Sequence, residues 1–201
     1  MKKVFSFIAV LSLLVFGSFK LADVLPIGSE MPKADLKMKD VSGKDVSMKD
    51  ALKEKGVLVM FSCNTCPYVV KNQERTISIS EYALKMNVGV IVLNSNEALR
   101  NDDDSYNDMK AYAKEQHYRW NYVVDSNHEV ADAFGANRTP ECFLFDKNLT
   151  LVYHGAIDDN PSDASAVGRN HLKEAITELV NNKDVSVKET KSVGCTIKRK
   201  K

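Results

Sequence analysis

The sequence has no surplus of either charge, because 28 lysine and arginine residues are set against 27 aspartate and glutamate residues. This balance gives no reason to expect a nucleic acid or an acidic polymer as partner. Internal repeats and low-complexity segments are also absent, which excludes a repeat architecture. Four cysteines in a chain of 201 residues are too few for a disulfide framework, so their chemistry matters more than their number.

The N-terminus has the pattern of an export signal over residues 1–19. Two lysines precede an apolar run at residues 4–16, and Gly17 and Ser18 follow it. The run is shorter than the roughly 20 residues of a membrane-spanning helix. The segment is therefore either a cleaved signal peptide or a retained anchor, and any membrane contact is through this leader. Export implies a periplasmic or other extracytoplasmic location, where disulfides persist.

The rest of the chain is expected to form one domain. Residues 20–33 are a predicted linker, residues 34–182 the domain, and residues 183–201 a polar C-terminal tail. With 44% hydrophobic residues the chain can bury one ordinary core. The basic run at residues 198–201 is expected to be a solvated, disordered end.

Apolar periodicity predicts an α/β order of elements. The predicted elements are a β-hairpin within 34–48, strands at 57–61, 87–93 and 120–124, helices at 67–86, 105–116 and 128–134, a second hairpin formed by 141–145 and 149–154, and a helix at 163–181. The first two of the three single strands are apolar without alternation, as is typical of parallel strands covered on both faces. The three aspartates 102–104 are expected in a solvated loop, with Asp104 or Ser105 starting the next helix.

Cys66 is the main candidate for a reactive residue. It follows an apolar strand, and Pro67 suits the first turn of a helix that Asn64 or Thr65 can cap. The free N–H groups and the dipole of a helix N-terminus favour a thiolate. Cys66 is therefore expected to be a nucleophile, with Cys63 three residues earlier as a possible disulfide partner.

This order of elements, with a cysteine at a strand-to-helix turn, resembles the thioredoxin superfamily, and more narrowly the exported thioredoxin-family or redoxin-domain proteins related to peroxiredoxins. The blocks that carry the resemblance are C-N-T-C-P-Y-V at 63–69, residues 136–141 with 143–146, residues 155–160, and G-C-T-I-K at 194–198. The resemblance implies a thioredoxin-like fold, that is, a central mixed sheet flanked by helices with an N-terminal β-hairpin extension. It also implies thiol chemistry that needs no cofactor.

The same resemblance assigns roles around Cys66. Cys66 takes the nucleophile position, and the spacing of three residues makes Cys63 the expected resolving thiol. In peroxiredoxins the place of Cys63 holds a threonine that positions peroxide, so this sequence argues against efficient peroxidase action. Met60 replaces the acidic residue that thioredoxins bury below the site, which leaves the proton-shuttle role unassigned.

Thr139 and Pro140 resemble the cis-proline loop, whose backbone pairs with an extended substrate. Arg138 beside them either stabilises the thiolate or is an ordinary surface arginine. Cys142 lies on the same strand face as Pro140, and is either a resolving thiol near the site or a core cysteine. Cys195 in the tail is a further possible resolving thiol, or it fastens the tail or pairs between molecules.

Three functions remain open at this point. The first is an exported thiol–disulfide oxidoreductase, in which Cys66 attacks a protein disulfide and Cys63 resolves the mixed disulfide. The second is a thiol peroxidase, with Cys63 or Cys195 resolving an oxidised Cys66. Both take electrons from an external thiol donor. The third is a copper- or zinc-binding chaperone that uses Cys63, Cys66 and His154, although no metal site is expected in the first two.

Overall fold

The computed structural model describes residues 23–200, which form an α/β structure around a seven-stranded mixed sheet. The fold class expected from the sequence is confirmed. The predicted leader at residues 1–19 lies outside this part of the chain. Between residues 23 and 200, no helix combines the length and apolarity needed to cross a membrane.

Residues 23–200 contain nine strands and six α-helices. The strands are β1 (Met38–Asp40), β2 (Asp45–Val46), β3 (Gly56–Ser62), β4 (Val88–Asn94), β5 (Asn121–Val124), β6 (Arg138–Thr139), β7 (Glu141–Phe145), β8 (Leu151–Gly155) and β9 (Cys195–Thr196). The helices are α1 (Met48–Ala51), α2 (Pro67–Lys71), α3 (Gln73–Lys85), α4 (Tyr106–Glu115), α5 (Glu129–Phe134) and α6 (His171–Val180).

The main sheet has the strand order β2-β1-β5-β4-β3-β7-β8. Strands β3, β4 and β5 pair in parallel, whereas β7 and β8 add antiparallel at one edge and the N-terminal hairpin adds antiparallel at the other. Every residue of β3 and β4 is buried, which confirms the prediction that these apolar runs are covered on both faces. Strands β6 and β9 form a separate two-stranded sheet.

Alternate side chains of the central strands build a core on each face of the sheet. Leu58 and Met60 of β3 belong to the cluster that includes side chains of α3, α4 and α6. Val59 and Phe61 belong to the opposite cluster with α1 and α5, where Phe61 and Phe134 meet edge to face. Both faces are therefore closed, and functional groups are confined to the ends of the strands.

Two predicted helices begin or break elsewhere. The helix expected at 67–86 is two helices, α2 and α3, separated at Asn72, whose side chain donates to the carbonyls of Tyr68 and Pro161. An asparagine that bonds nearby backbone in this way competes with the helix. The helix expected from residue 163 begins only at His171, because the carboxylate of Asp163 instead caps a short 3-10 turn.

The C-terminal tail is folded against the domain, in contrast to the disordered basic end that the sequence suggests. Strand β9 pairs antiparallel with β6, and Ile197 is only 3% exposed. Arg199 donates to the carboxylate of Asp132 and to the carbonyl of Ala136, each at 2.7 Å. A buried aliphatic side chain and a strand pairing thus order a segment whose composition alone indicates solvation.

Candidate active site

Cys66 lies at the turn between β3 and α2, as the sequence predicts. It is the N-cap residue of α2, with Pro67 in the first turn, and it is 6% exposed. No side chain caps this helix, so the expectation that Asn64 or Thr65 does so is wrong. The side chain of Asn64 is instead hydrogen-bonded to the carbonyl of Asp103 and the hydroxyl of Tyr122.

A disulfide joins Cys66 to Cys195, with the two Cα atoms 6.0 Å apart. The bond links positions separated by 129 residues and ties β9 to the start of α2. Cys63 and Cys142 are free and buried. The partner of Cys66 in the structure is therefore the tail cysteine, one of the possible resolving thiols, and not Cys63, the expected one.

Cys63 lies inside the turn and is 1% exposed. Its Sγ is 3.5 Å from the hydroxyl oxygen of Thr139. Burial raises the pKa of the Cys63 thiol, and the negative charge of Asp104 raises it further, while the Thr139 hydroxyl and the N–H groups of Cys66 and Thr65 act in the opposite direction. Cys63 is consequently a weak source of thiolate at neutral pH.

Thr139 is next to both cysteines of the disulfide. Its peptide bond to Pro140 is cis, as the resemblance implies. The carbonyl oxygen of Thr139 is 3.4 Å from Sγ of Cys66. In the pairing of β6 with β9, Thr139 lies opposite Cys195. The backbone of Thr139 thus contacts one half of the disulfide and pairs with the other.

Arg138 is exposed and directs its guanidinium at the tail, where Nη1 donates to the carbonyl of Gly194 at 3.4 Å. Its backbone N–H donates to Oε2 of Glu141 at 2.9 Å, and Oε1 of that carboxylate is 2.8 Å from Nε2 of His154. This buried pair supports the loop before the cis peptide. Arg138 therefore contacts the segment that carries Cys195.

Cys142 belongs to the core, which is one of the two alternatives that the sequence left open. It is fully buried, pairs with Met60 across the sheet, and its pKa is raised mainly by burial. His154, the distal histidine considered for a metal, has its Nε2 bound to Glu141. In the part of the chain that the structure describes, no three His, Cys, Asp or Glu side chains are grouped to hold a metal ion.

Asp104 is a component of the site that the sequence interpretation missed. It is fully buried, so its expected place in a solvated loop is wrong, and Ser105 alone caps α4. Oδ1 accepts hydrogen bonds from the backbone N–H of Asn64 at 2.9 Å and from Nδ2 of Asn94 at 2.8 Å. Oδ2 accepts one from Nδ2 of Asn96 at 2.8 Å. The sequence signal that could have revealed this role is the pair of polar residues Asn64 and Asn94, which stand at or just after the ends of the adjacent buried strands β3 and β4.

Hydrogen bonds to both the side chain and the backbone of Asn64 hold the turn between Cys63 and Cys66 in place. Nδ2 of Asn64 donates to the carbonyl of Asp103 at 2.9 Å, and the buried hydroxyl of Tyr122 donates to its Oδ1 at 2.8 Å. With the bond from its N–H to Asp104, Asn64 is anchored through backbone and side chain. The geometry of the turn is therefore fixed by residues that follow β4 and lie in β5.

This chain matches a known family model and several solved structures. The Redoxin family model matches residues 26–169, a region that includes Cys63 and Cys66 and ends before Cys195. Comparison with curated proteins found no match. An uncharacterized conserved protein from Geobacillus kaustophilus is similar to this chain, with 32% identity and a TM-score of 0.81 over 87% of this chain and 93% of that one.

Two further structures extend the comparison. A hypothetical protein from Sinorhizobium meliloti 1021 has 28% identity and a TM-score of 0.80, covering 89% of this chain and 97% of its own. The thioredoxin domain of a thiol-disulfide oxidoreductase from Bacteroides vulgatus has 22% identity and a TM-score of 0.54, covering 65% and 88%, and shows the fold alone. With a family match over residues 26–169 and a cysteine pair at the strand-to-helix turn, this chain belongs to the Redoxin family.

Proposed function

We propose that this protein is an exported thiol–disulfide oxidoreductase in which Cys66 is the nucleophile and Cys195 the resolving thiol. The observation that carries the proposal is the disulfide between Cys66, at the start of a helix, and Cys195, on a strand two residues long. Export rests on the leader pattern of residues 1–19. The substrate class is a protein disulfide, and an external thiol supplies electrons.

The reaction proceeds by two exchanges. The Cys66 thiolate attacks one sulfur of the substrate disulfide, which forms a mixed disulfide and releases the other substrate thiolate. The Cys195 thiolate then attacks Sγ of Cys66, which forms the Cys66–Cys195 disulfide and releases the second substrate thiolate. The substrate gains two electrons and the protein loses two. An external dithiol restores the reduced protein by the reverse chemistry.

Accessibility favours Cys195 over Cys63 as the resolving thiol. Cys63 is 1% exposed, and its pKa is raised by burial and by Asp104. Cys195 is partly exposed and lies on β9, which pairs with a strand of only two residues. Only two residues of each strand pair, so Cys195 has little strand pairing to break when it leaves Cys66 for a substrate to enter.

A thiol peroxidase is the second candidate, because its product is the same disulfide. In that reaction the Cys66 thiolate attacks a peroxide oxygen and becomes a sulfenic acid, and Cys195 condenses with it to release water. The buried Cys63 stands where the resemblance places a peroxide-positioning threonine, and for this reason we favour disulfide exchange.

Two rates measured on the reduced protein test the proposal. We expect catalysed reduction of a protein disulfide such as insulin, with an external dithiol as electron donor, and loss of this activity in Cys66→Ser. With hydrogen peroxide, we expect Cys66 to react no faster than an ordinary thiolate. A peroxide rate several orders of magnitude higher, with little disulfide reduction, would replace this function by the peroxidase.

A further inference from the structure

The Asp104 carboxylate is a buried charge that the two exchange steps do not use. Amide groups of Asn64, Asn94 and Asn96 donate to its two oxygens. The guanidinium of Arg100 donates to the backbone carbonyls of Asp104 and Asn94, at 2.7 Å each. These three amide donors give both oxygens of the buried carboxylate a hydrogen-bond partner.

One arm of this network reaches the turn that contains Cys63 and leads to Cys66. Oδ1 of Asp104 accepts the N–H of Asn64, the residue directly after Cys63 and two before Cys66. Because a charged acceptor strengthens a hydrogen bond, this contact is a main anchor of the turn. It also places the negative charge close enough to Cys63 to raise the pKa of its thiol.

The other arm reaches the tail. Asn96 donates through Nδ2 to Oδ2 of Asp104, and its Oδ1 accepts the backbone N–H of Lys198 at 2.8 Å. The carbonyl of Lys198 in turn accepts the N–H of Ala98 at 2.9 Å. Lys198 is three residues after Cys195. A single carboxylate therefore holds both segments whose cysteines form the disulfide.

We infer that Asp104 is a positioning residue that selects Cys195, rather than Cys63, as the thiol that closes the disulfide with Cys66. It acts by holding the tail and the turn in register and by disfavouring thiolate at Cys63. The inference rests on the proposed function, since it concerns the second exchange step. Acidic residues 102 and 103 are exposed, so the role belongs to Asp104 alone among the three.

Oxidised glutathione provides a defined substrate for the test. The Cys66 thiolate attacks it, forms a mixed disulfide with one glutathione and releases the other as thiolate. Either Cys63 or Cys195 then attacks Sγ of Cys66 and releases the second glutathione. The electron balance is the same for both routes, so only the protein disulfide that forms distinguishes them. Rapid acid quenching and peptide mapping give the ratio of Cys66–Cys195 to Cys63–Cys66.

The variant Asp104→Asn removes the charge at nearly constant size and replaces an accepting oxygen by a donor. The ratio is expected to fall at least about tenfold, as for the loss of one hydrogen bond to a charged group. Asp103→Asn is the matched control, because Asp103 contacts Asn64 only through its backbone carbonyl and its own side chain is exposed. The control is expected to keep the wild-type ratio.

A second variant separates the two arms and covers the case in which Asp104→Asn does not fold. Asn96→Ala cuts the link to Lys198 and leaves the charge beside Cys63. Asn96→Ala is expected to slow the closure of the disulfide by Cys195 severalfold. It is expected to leave the pH titration of the Cys63 thiolate unchanged. That titration is followed by ultraviolet absorbance in a Cys66→Ser/Cys195→Ser background. In the same background Asp104→Asn is expected to move that titration to lower pH, which a purely structural role would not do.

Three results would overturn the inference. An unchanged disulfide ratio in Asp104→Asn, with an unchanged Cys63 titration, would show that Asp104 selects neither cysteine. Closure at the wild-type rate in Asn96→Ala would show that the bond between Asn96 and Lys198 does not help Cys195 to reach Cys66. The absence of any disulfide on Cys66, whether with glutathione or with another cysteine of the protein, after the reduced wild type reacts with oxidised glutathione would overturn the proposed function itself, and the inference with it.

Discussion

Gly194 lies directly against the carbonyl group of Thr139, and a Cβ at position 194 would stand 2.1 Å from that oxygen. The same carbonyl oxygen is 3.4 Å from Sγ of Cys66. Because Gly194 precedes Cys195, its missing side chain is what allows the tail strand to approach the loop closely enough for the two cysteines to meet. The disulfide therefore depends on a glycine as well as on the cysteines.

Replacing Gly194 by alanine is expected to weaken the disulfide. The new methyl group cannot fit beside a backbone carbonyl, so β9 must move away from β6, at a cost of about 1–3 kcal/mol for overpacking. The equilibrium of the protein dithiol with glutathione is expected to shift about tenfold or more toward the reduced form. Thr196→Ala, at an exposed position of the same strand, is the control and should leave the equilibrium unchanged. An equal shift in both variants would contradict this account of the close approach.

The docked tail is expected to depend on its apolar residue more than on its basic one. Ile197 is 3% exposed, and truncation of a buried isoleucine to alanine costs about 2–5 kcal/mol. Arg199 pairs with Asp132, whose side chain is 50% exposed, and donates to the carbonyl of Ala136; each contact is worth about 1 kcal/mol, so Arg199→Ala is expected to cost less than Ile197→Ala. Limited proteolysis of the reduced protein, with urea unfolding, measures both effects. Faster tail cleavage in Arg199→Ala than in Ile197→Ala would contradict this order.

Buried thiols are expected to make the reduced protein less stable at alkaline pH. Burial raises the pKa of Cys142 above that of the unfolded chain, so the protonated thiol stabilises the folded state fully below about pH 8.5, the ordinary thiol pKa, and less as the pH rises above it. Cys142→Ala is expected to lose part of this pH dependence. The free energy of unfolding between about pH 7 and pH 10 provides the measurement, and identical slopes in both proteins would refute the assignment.

The reactive turn could be predicted from the sequence because its signals are local. The apolar run of β3, the cysteine after it and Pro67 place Cys66 at a helix start without reference to the rest of the chain. The positions of β3 and β4 along the chain follow from the same kind of pattern. Helix α2 ends early because the side chain of Asn72 bonds to Pro161, a residue 89 positions away, which no local pattern contains.

The partner of Cys66 and the role of Asp104 could not be predicted because both depend on contacts distant in sequence. A polar tail with a basic end is typical of disorder, and only the pairing of β9 with β6 and the burial of Ile197 order it. Three successive aspartates are typical of a solvated loop, whereas one of them meets amide groups from the ends of β3 and β4. In each case tertiary contacts override a compositional tendency.

The central claim is that Cys195, and not Cys63, resolves the mixed disulfide on Cys66. The most direct test is to incubate the reduced variants Cys195→Ser and Cys63→Ser with a protein disulfide and to count the mixed disulfides trapped on Cys66 by mass spectrometry. We expect Cys195→Ser to accumulate the mixed disulfide and to lose turnover, while Cys63→Ser turns over at close to the wild-type rate. Accumulation in Cys63→Ser, with normal turnover in Cys195→Ser, would contradict the account and return the resolving role to Cys63.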